Sequence, residues 1–430
     1  MTKFGASLGV LAAALCVATA ADAAPISIDN AFNRDRNTSV RERDKPEYDA
    51  RGVRVGTFRF FPEFAASTKY DDNVFVSDAA KESDMVSTAR AAASLRSDWR
   101  RHAFSFTAAA ETNYHSEFAA LDTVDSYAKA NARLDLIEDN FIDFTLGYSD
   151  STEDRIDTST LTPLSEPVGV VEEEAGLALV TSFNRVRFSV GAEAQRKDYE
   201  DVRDTLGIEV DQDGRDNDLI TATTRLDYAI SPDTALFVEA SRNWRTYDQD
   251  PAPASGLTTQ DSDGYAALVG VNFDVSNVMR GEIGVGYLRQ IYDDSGVKPS
   301  EGLAVDARVE WFPDELVTVA VEASRDVRES GLVGVAGRVA DAASARIDYE
   351  ARRNVVVGVS AAYEHSAYEN DLAPDREEER WTGGVSLDFL INEAADAFIQ
   401  AEYVDQNSTG VAPGREFEVG RVSFGLRLRR

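Results

Sequence analysis

The sequence has one cysteine, three histidines and three methionines in 430 residues. With a single thiol, Cys16, no disulfide can close within the chain, and the isolated His102, His115 and His365 lack the spacing that builds a zinc site. Cys16 follows Leu15 and not a small residue, so lipid attachment there is not expected. It also falls in a stretch that reads as a cleaved leader, which leaves the mature chain without a thiol. Cations are scarce too: 44 Lys and Arg against 76 Asp and Glu give a formal net charge of −32. That balance argues against nucleic acid as a partner, because phosphate binding needs basic surface. The apolar run Leu8 to Ala20 is too short to cross a bilayer as a helix. No phosphate-cradling motif is found, since Gly281 to Tyr287, GEIGVGY, reads as a strand with no helix after it. No catalytic residue, metal site or cofactor follows from the sequence, and no enzyme is expected. A rim hydrolase would have only His115 or His365 as a base.

What is present is a repeat. Thr223 to Arg245, TTRLDYAISPDTALFVEASRNWR, reads as a hairpin: Arg225 and Asp227 share one face, Leu226 and Tyr228 the other, and Ser231-Pro232-Asp233 turns the chain. The second arm sets Leu236, Val238 and Ala240 against Phe237, Glu239, Ser241 and Asn243. The unit recurs at Asn131 to Tyr148, Asp306 to Arg328, Ser344 to His365 and Gly384 to Tyr403, and VEASR recurs verbatim at Val238 and Val321. Turns return about every 40–45 residues, with about two strands and one short and one long connection per repeat. A propeller blade of that length would hold four short strands.

The pattern predicts an all-β fold, a transmembrane antiparallel up-and-down β-barrel of about 18 strands (roughly 16–18), with short periplasmic turns and long extracellular loops. Alternation places two of the last strands at Trp381–Phe389 and Ala397–Val404. A mean hydropathy of −0.32 does not oppose this, because in a barrel only alternate residues meet lipid. Closing the sheet also satisfies every ladder hydrogen bond without covalent staples. Lys3, the apolar run and Ala21-Asp22-Ala23 predict a secretory signal over 1–23. Residues 24–54 are a charged periplasmic tail, a disordered leader or a plug whose arginines pair with acidic lumen residues. The barrel is assigned to 55–430.

Charges placed by the repeat would be costly against lipid and are assigned to the lumen. On the descending arms these are Arg133, Asp135, Arg225, Asp227, Arg308, Glu310, Arg346 and Asp348. On the ascending arms they are Glu111, Glu193, Glu239, Glu322 and Glu402. They read either as ladders bracing neighbouring strands or as a constriction selecting by charge. Tyr228, Trp311, Tyr349 and Phe389, on the opposite face beside short turns, are expected to form an aromatic girdle. Glu172 to Glu174 and Glu377 to Glu379 are placed at loop ends, as solvated carboxylates or as holders of a divalent cation bridging to lipopolysaccharide.

The stretch Val40 to Phe75, with Arg43, Pro46-Glu47-Tyr48, Gly52-Val53, Gly56, Phe58, Pro62 and Tyr70-Asp71-Asp72-Asn73, resembles the opening of the outer-membrane β-barrel porin type 2 family. Asp98-Trp99 and Arg101-His102 resemble it as well. The resemblance implies the outer membrane of a Gram-negative bacterium, contact with outer-membrane lipid and lipopolysaccharide, and insertion by the barrel assembly machinery. The chain ends Arg429-Arg430 where such barrels usually end in an aromatic residue, which points to less efficient assembly. Members are often encoded beside exopolysaccharide genes, so the resemblance implies export of an exopolysaccharide with its export apparatus as partner. An acidic interior would favour a neutral or amino-bearing polymer over an acidic one. A diffusion porin with mild cation preference and a structural or adhesive barrel are the other readings.

Overall fold

The computed structural model describes residues 38–137, 139–157, 164–249, 258–275, 278–328, 335, 337–368, 376–411 and 413–430. The expected signal, residues 1–23, lies outside them, as do tail residues 24–37.

Eighteen strands run in chain order around a closed antiparallel sheet. They are β1 (Phe58–Asp71), β2 (Asp84–Ser97), β3 (Ala103–His115), β4 (Thr123–Ile137), β5 (Asn140–Thr152) and β6 (Gly169–Phe183). Then come β7 (Val186–Tyr199), β8 (Asn217–Ser231), β9 (Thr234–Tyr247), β10 (Ser262–Val275), β11 (Met279–Tyr292) and β12 (Ser300–Asp314). The last are β13 (Val317–Arg328), β14 (Arg338–Arg352), β15 (Val355–Tyr368), β16 (Arg376–Asn392), β17 (Ala395–Gly410) and β18 (Phe417–Arg429). Each pairs with its neighbours in sequence, and β1 closes on β18 from Glu63↔Arg429 to Asp71↔Arg421. A short strand, Val53–Val55, adds to the lower end of β1 opposite Phe58–Phe60. Pro62 falls between that strand and the start of the β18 pairing, where its missing N–H breaks no ladder. Among the described residues no helix is long and apolar enough to cross a membrane.

Side-chain alternation turns one face to lipid and the other inward. In β7, Val190 points out at 39% exposure while Glu193, three residues on, points in at 8%. Tyr228, Trp311, Tyr349 and Phe389 all lie on the outer face near the short turns and are exposed there. The five clearest sequence repeats carry a shared backbone feature: β4, β8, β12, β14 and β16 each break register just before their short turn. Such an irregularity sharpens local twist and lets a tight turn reverse the chain.

Two strands differ most from expectation. β16 and β17 reach Arg376–Asn392 and Ala395–Gly410, well past Trp381–Phe389 and Ala397–Val404. Alternation fades where both faces are polar, but backbone pairing continues there because the ladder needs no apolar side chain. For the same reason Glu172 to Glu174 and Glu377 to Glu379 lie within β6 and β16, not at loop ends.

Candidate functional site

The inner face of the wall is charged, and part of it is open to solvent. Arg308 of β12 and Glu322 of β13 face inward and pair at 3.2 Å, yet remain 71% and 50% exposed. Water therefore reaches the middle of this wall.

Elsewhere the charges knit together. The Arg225 guanidinium donates to both oxygens of Glu282 at 2.6 Å, to Asp227 at 2.9 Å and to Glu239 at 3.4 Å, and lies 3.9 Å over the Phe237 ring. Arg346 pairs with Asp348 at 2.9 Å, Arg133 with Asp143 at 2.9 Å, Arg90 with Glu111 at 3.3 Å, and Arg421 with Glu402 at 3.6 Å. Glu310 pairs with Arg280. Glu193 has Gly176 and Thr221 in register, so the ladder sets no charge beside it. Asp135 accepts the His102 backbone N–H at 2.6 Å and ties down the β2–β3 turn. Asp227 is fully buried and Arg225 nearly so. Arg225→Ala is expected to destabilise the barrel by about 3–5 kcal/mol, because it leaves carboxylates without their cation. Urea unfolding in lipid vesicles reads this as an earlier midpoint; an unshifted midpoint would mean water replaces the guanidinium.

Two segments outside the strands lie against this wall, and neither position follows from periodicity. The first is the tail. Ser39 and Glu42 cap each other, Ser39 N–H to Glu42 Oε2 and Glu42 N–H to Ser39 Oγ, both at 3.2 Å, so residues 39–43 form a self-satisfied turn. A second turn follows, with the Tyr48 and Asp49 amides donating to the Lys45 carbonyl. Arg41 donates to Asp348 at 2.7 Å, Asp388 at 3.1 Å and the Ser386 hydroxyl at 3.3 Å. Arg43 and Lys45 both pair with Glu350, at 3.3 and 3.9 Å, and Glu42 with Arg280 at 2.7 Å. Val40 is fully buried and its N–H donates to Thr318 Oγ1. Burial acts to raise the Glu42 carboxyl, but Arg280 and the Ser39 cap together hold it below its usual range. Burial lowers the Lys45 ammonium against the pull of Glu350. The tail thus follows the inner wall at the short-turn end, from Arg429 of β18, which donates to the Tyr48 carbonyl, to Arg280 of β11. The pairs of the partly exposed Arg41 and Arg43 are worth about 0.2–1 kcal/mol each, so that part of the attachment is reversible.

The second segment is the start of the β5–β6 connection, 153–157, which crosses to the wall of β16–β18. Asp154 takes two bonds from Arg421, at 3.0 and 3.3 Å, and Asp157 pairs with Arg380. The Ile156 carbonyl accepts from Arg380 and the Arg155 carbonyl from Arg415. Glu153 is held by Arg215 at 2.8 Å. Ile156 packs with Val76, Val404, Phe417 and Val419 as an apolar anchor. A cavity of about 520 Å³ lies beside this segment, lined by Lys69, Arg90, Glu111, Asp125, Glu402 and Arg421 among others.

The crossing segment titrates. Burial and the neighbouring Asp154 raise the Asp157 carboxyl to about 6 against the pull of Arg380, from 3.8. Burial would raise Asp154 also, but Arg421 holds it at about 2. A raised value means that protonation favours the docked form: the gain begins as pH falls through about 6 and is complete below 3.8. Asp154 contributes in the opposite sense, and its contribution is lost only as pH falls through about 2. Between pH 7 and 4 Asp157 sets the sign, so the segment should dock more tightly and single-channel conductance should fall on acidification. A rise over that interval would contradict this.

The histidines stay apart. His102 is in a short turn, His115 faces the cavity with Asp122 at 3.5 Å, and His365 faces outward between Asp341 and Glu377. Among the described residues one group of three carboxylates could hold an ion, Asp201, Asp211 and Asp213 in the β7–β8 connection. Arg280, Arg380, Arg415 and Arg421, which hold the two inward segments, were not singled out by the repeat, since they sit outside its arginine positions. For Arg421 a signal existed, its place on the polar face of the last strand.

A family model described as "Putative beta-barrel porin 2" matches residues 45–430. No curated protein matches the chain. Similar solved structures include the siderophore receptor PirA from Pseudomonas aeruginosa, at 12% identity and a TM-score of 0.43, with 88% of this chain and 81% of that one covered. The FrpB iron transporter from Neisseria meningitidis has 8% identity, a TM-score of 0.45 and coverage of 86% and 82%. The outer membrane protein opdK from Pseudomonas aeruginosa has 11% identity, a TM-score of 0.44 and coverage of 86% and 99%.

Proposed function

The chain belongs to the putative β-barrel porin 2 family, and from that premise we propose that it is a channel serving export of an exopolysaccharide, neutral or amino-bearing and not acidic. It is an outer-membrane β-barrel of a Gram-negative bacterium, set in lipid and lipopolysaccharide. One observation carries the reading: two segments outside the strands lie against the charged inner wall and are held there by exchangeable ion pairs. A passage so built suits a specific cargo that displaces its own obstruction. The charge of the cargo follows from the chain, because a net −32 repels uronate-rich polymers. The barrel assembly machinery and an export apparatus are the partners this reading requires. The chemistry is passage and not reaction, and a hydrolase activity that survives replacement of both His115 and His365 by Ala would remove the rim-enzyme reading.

The test is efflux from proteoliposomes loaded with labelled oligosaccharides of matched length. Amine-bearing oligomers should leave fastest, neutral oligomers more slowly past the docked tail, and uronate oligomers should be retained. Strong efflux of the uronate oligomer would overturn the assignment of cargo. A second reading, a diffusion porin with mild cation preference, is favoured by the exposed Arg308 and Glu322, which line space the tail does not fill. It predicts small-ion conductance without oligosaccharide efflux.

A further inference from the structure

The basic tail occupies a wall built for its charges. Asp348, Glu350 and Asp388 come from β14 and β16, converge at the short-turn end, and receive Arg41, Arg43 and Lys45. These three cations stand at alternate positions, and the two between them are acidic. Arg41 is gripped by Asp348, Asp388 and Ser386 together, a cradle of two carboxylates and a hydroxyl around one planar cation. Asp348 is shared with Arg346 on its other side. The tail's two turns satisfy most of their own amides, its backbone meets the barrel at the Val40 N–H and the Tyr48 carbonyl, and its apolar anchor is Val40.

We infer that residues 39–45 are an internal stand-in for a cationic ligand, and that the wall of Asp348, Glu350 and Asp388 is a binding site for an amine-bearing saccharide polymer. The inference rests on the lumen being a passage, and it names the group that the passage recognises first. Ammonium groups along such a polymer would replace Arg41, Arg43 and Lys45 on the same carboxylates, and the tail would leave as the ligand enters. Among the described residues Glu42–Arg280 is the ion pair of opposite sense, and it would be released with the turn.

Val40 supplies the reporter. Its side chain is fully buried in the docked tail, and the mature chain is expected to hold no other thiol, so Val40→Cys in the full mature protein reads undocking by maleimide labelling in detergent micelles. A hexamer of glucosamine should raise the labelling rate roughly tenfold, while the neutral N-acetylated hexamer should leave it unchanged. Calorimetry with the same two hexamers supplies the second arm. Arg41→Ala with Arg43→Ala should bind the amine hexamer severalfold more tightly than the wild type, because the competitor is weakened. Asp348→Asn with Asp388→Asn should lose binding. The inference is overturned if the amine hexamer leaves the labelling rate unchanged, if the neutral hexamer works as well, or if weakening the tail does not raise affinity. If the Asn pair fails to fold, the arginine variant still decides. Neither arm needs conduction, so binding without efflux would overturn the export reading and leave the site standing.

Discussion

Deleting residues 24–49 from the mature chain is expected to raise single-channel conductance roughly twofold, because the tail lines the wall of the short-turn mouth from β18 to β11. The cut is placed before Val53 so that Val53–Val55 keeps its pairing with β1. Arg41, Arg43 and Lys45 leave with the tail, which uncovers Asp348, Glu350 and Asp388, so cation preference should increase along with conductance. In the full-length protein, higher salt should bring conductance toward that of the deletion, since partly exposed ion pairs are screened over about 8–10 Å at physiological ionic strength. Equal conductance of the two proteins at low salt would show that the tail does not narrow the path.

Arg421→Ala is expected to have the second large effect. Its guanidinium reaches Asp71 at 2.9 Å, Asp154 at 3.0 Å and Glu402 at 3.6 Å, so one substitution loosens the crossing segment and leaves three carboxylates without their shared cation. Conductance should again rise roughly twofold, with a stronger shift toward cations than the tail deletion gives. Arg380→Ala, which removes the Asp157 contact instead, should raise conductance with a smaller change in selectivity. Arg196→Ala, on the outer face between Asp218 and Asp248, should change neither. An Arg421→Ala channel with wild-type selectivity would mean that the 153–157 segment lies outside the conducting path.

The two effects differ in origin, and the difference explains what could be read beforehand. Hairpins such as Thr223 to Arg245 are local: alternation over one strand and a turn three residues long suffice to place Arg225 inside and Tyr228 outside. Which charges meet is less local. Arg225 with Asp227 lies within one strand, but its partner Glu282 is three strands away on β11, reachable only because the wall curves. The inward segments are further still. Arg41 meets Asp388 and Arg421 meets Asp154 across 347 and 267 positions of chain, and nothing in residues 153–157 distinguishes a segment that folds inward from one that stays in solvent.

The closed antiparallel barrel, its strand number, its alternating faces and its acidic charge are legible in the sequence. Each of these follows from a two-residue period or from composition, and both survive without knowledge of neighbours. Closure of β1 on β18 decided the rest. Only a closed wall brings the carboxylates of β14 and β16 to the tail and the arginines of β16 and β18 to the crossing segment. The reason is that an ion pair acts over a few ångströms of space, whatever the length of chain between its partners.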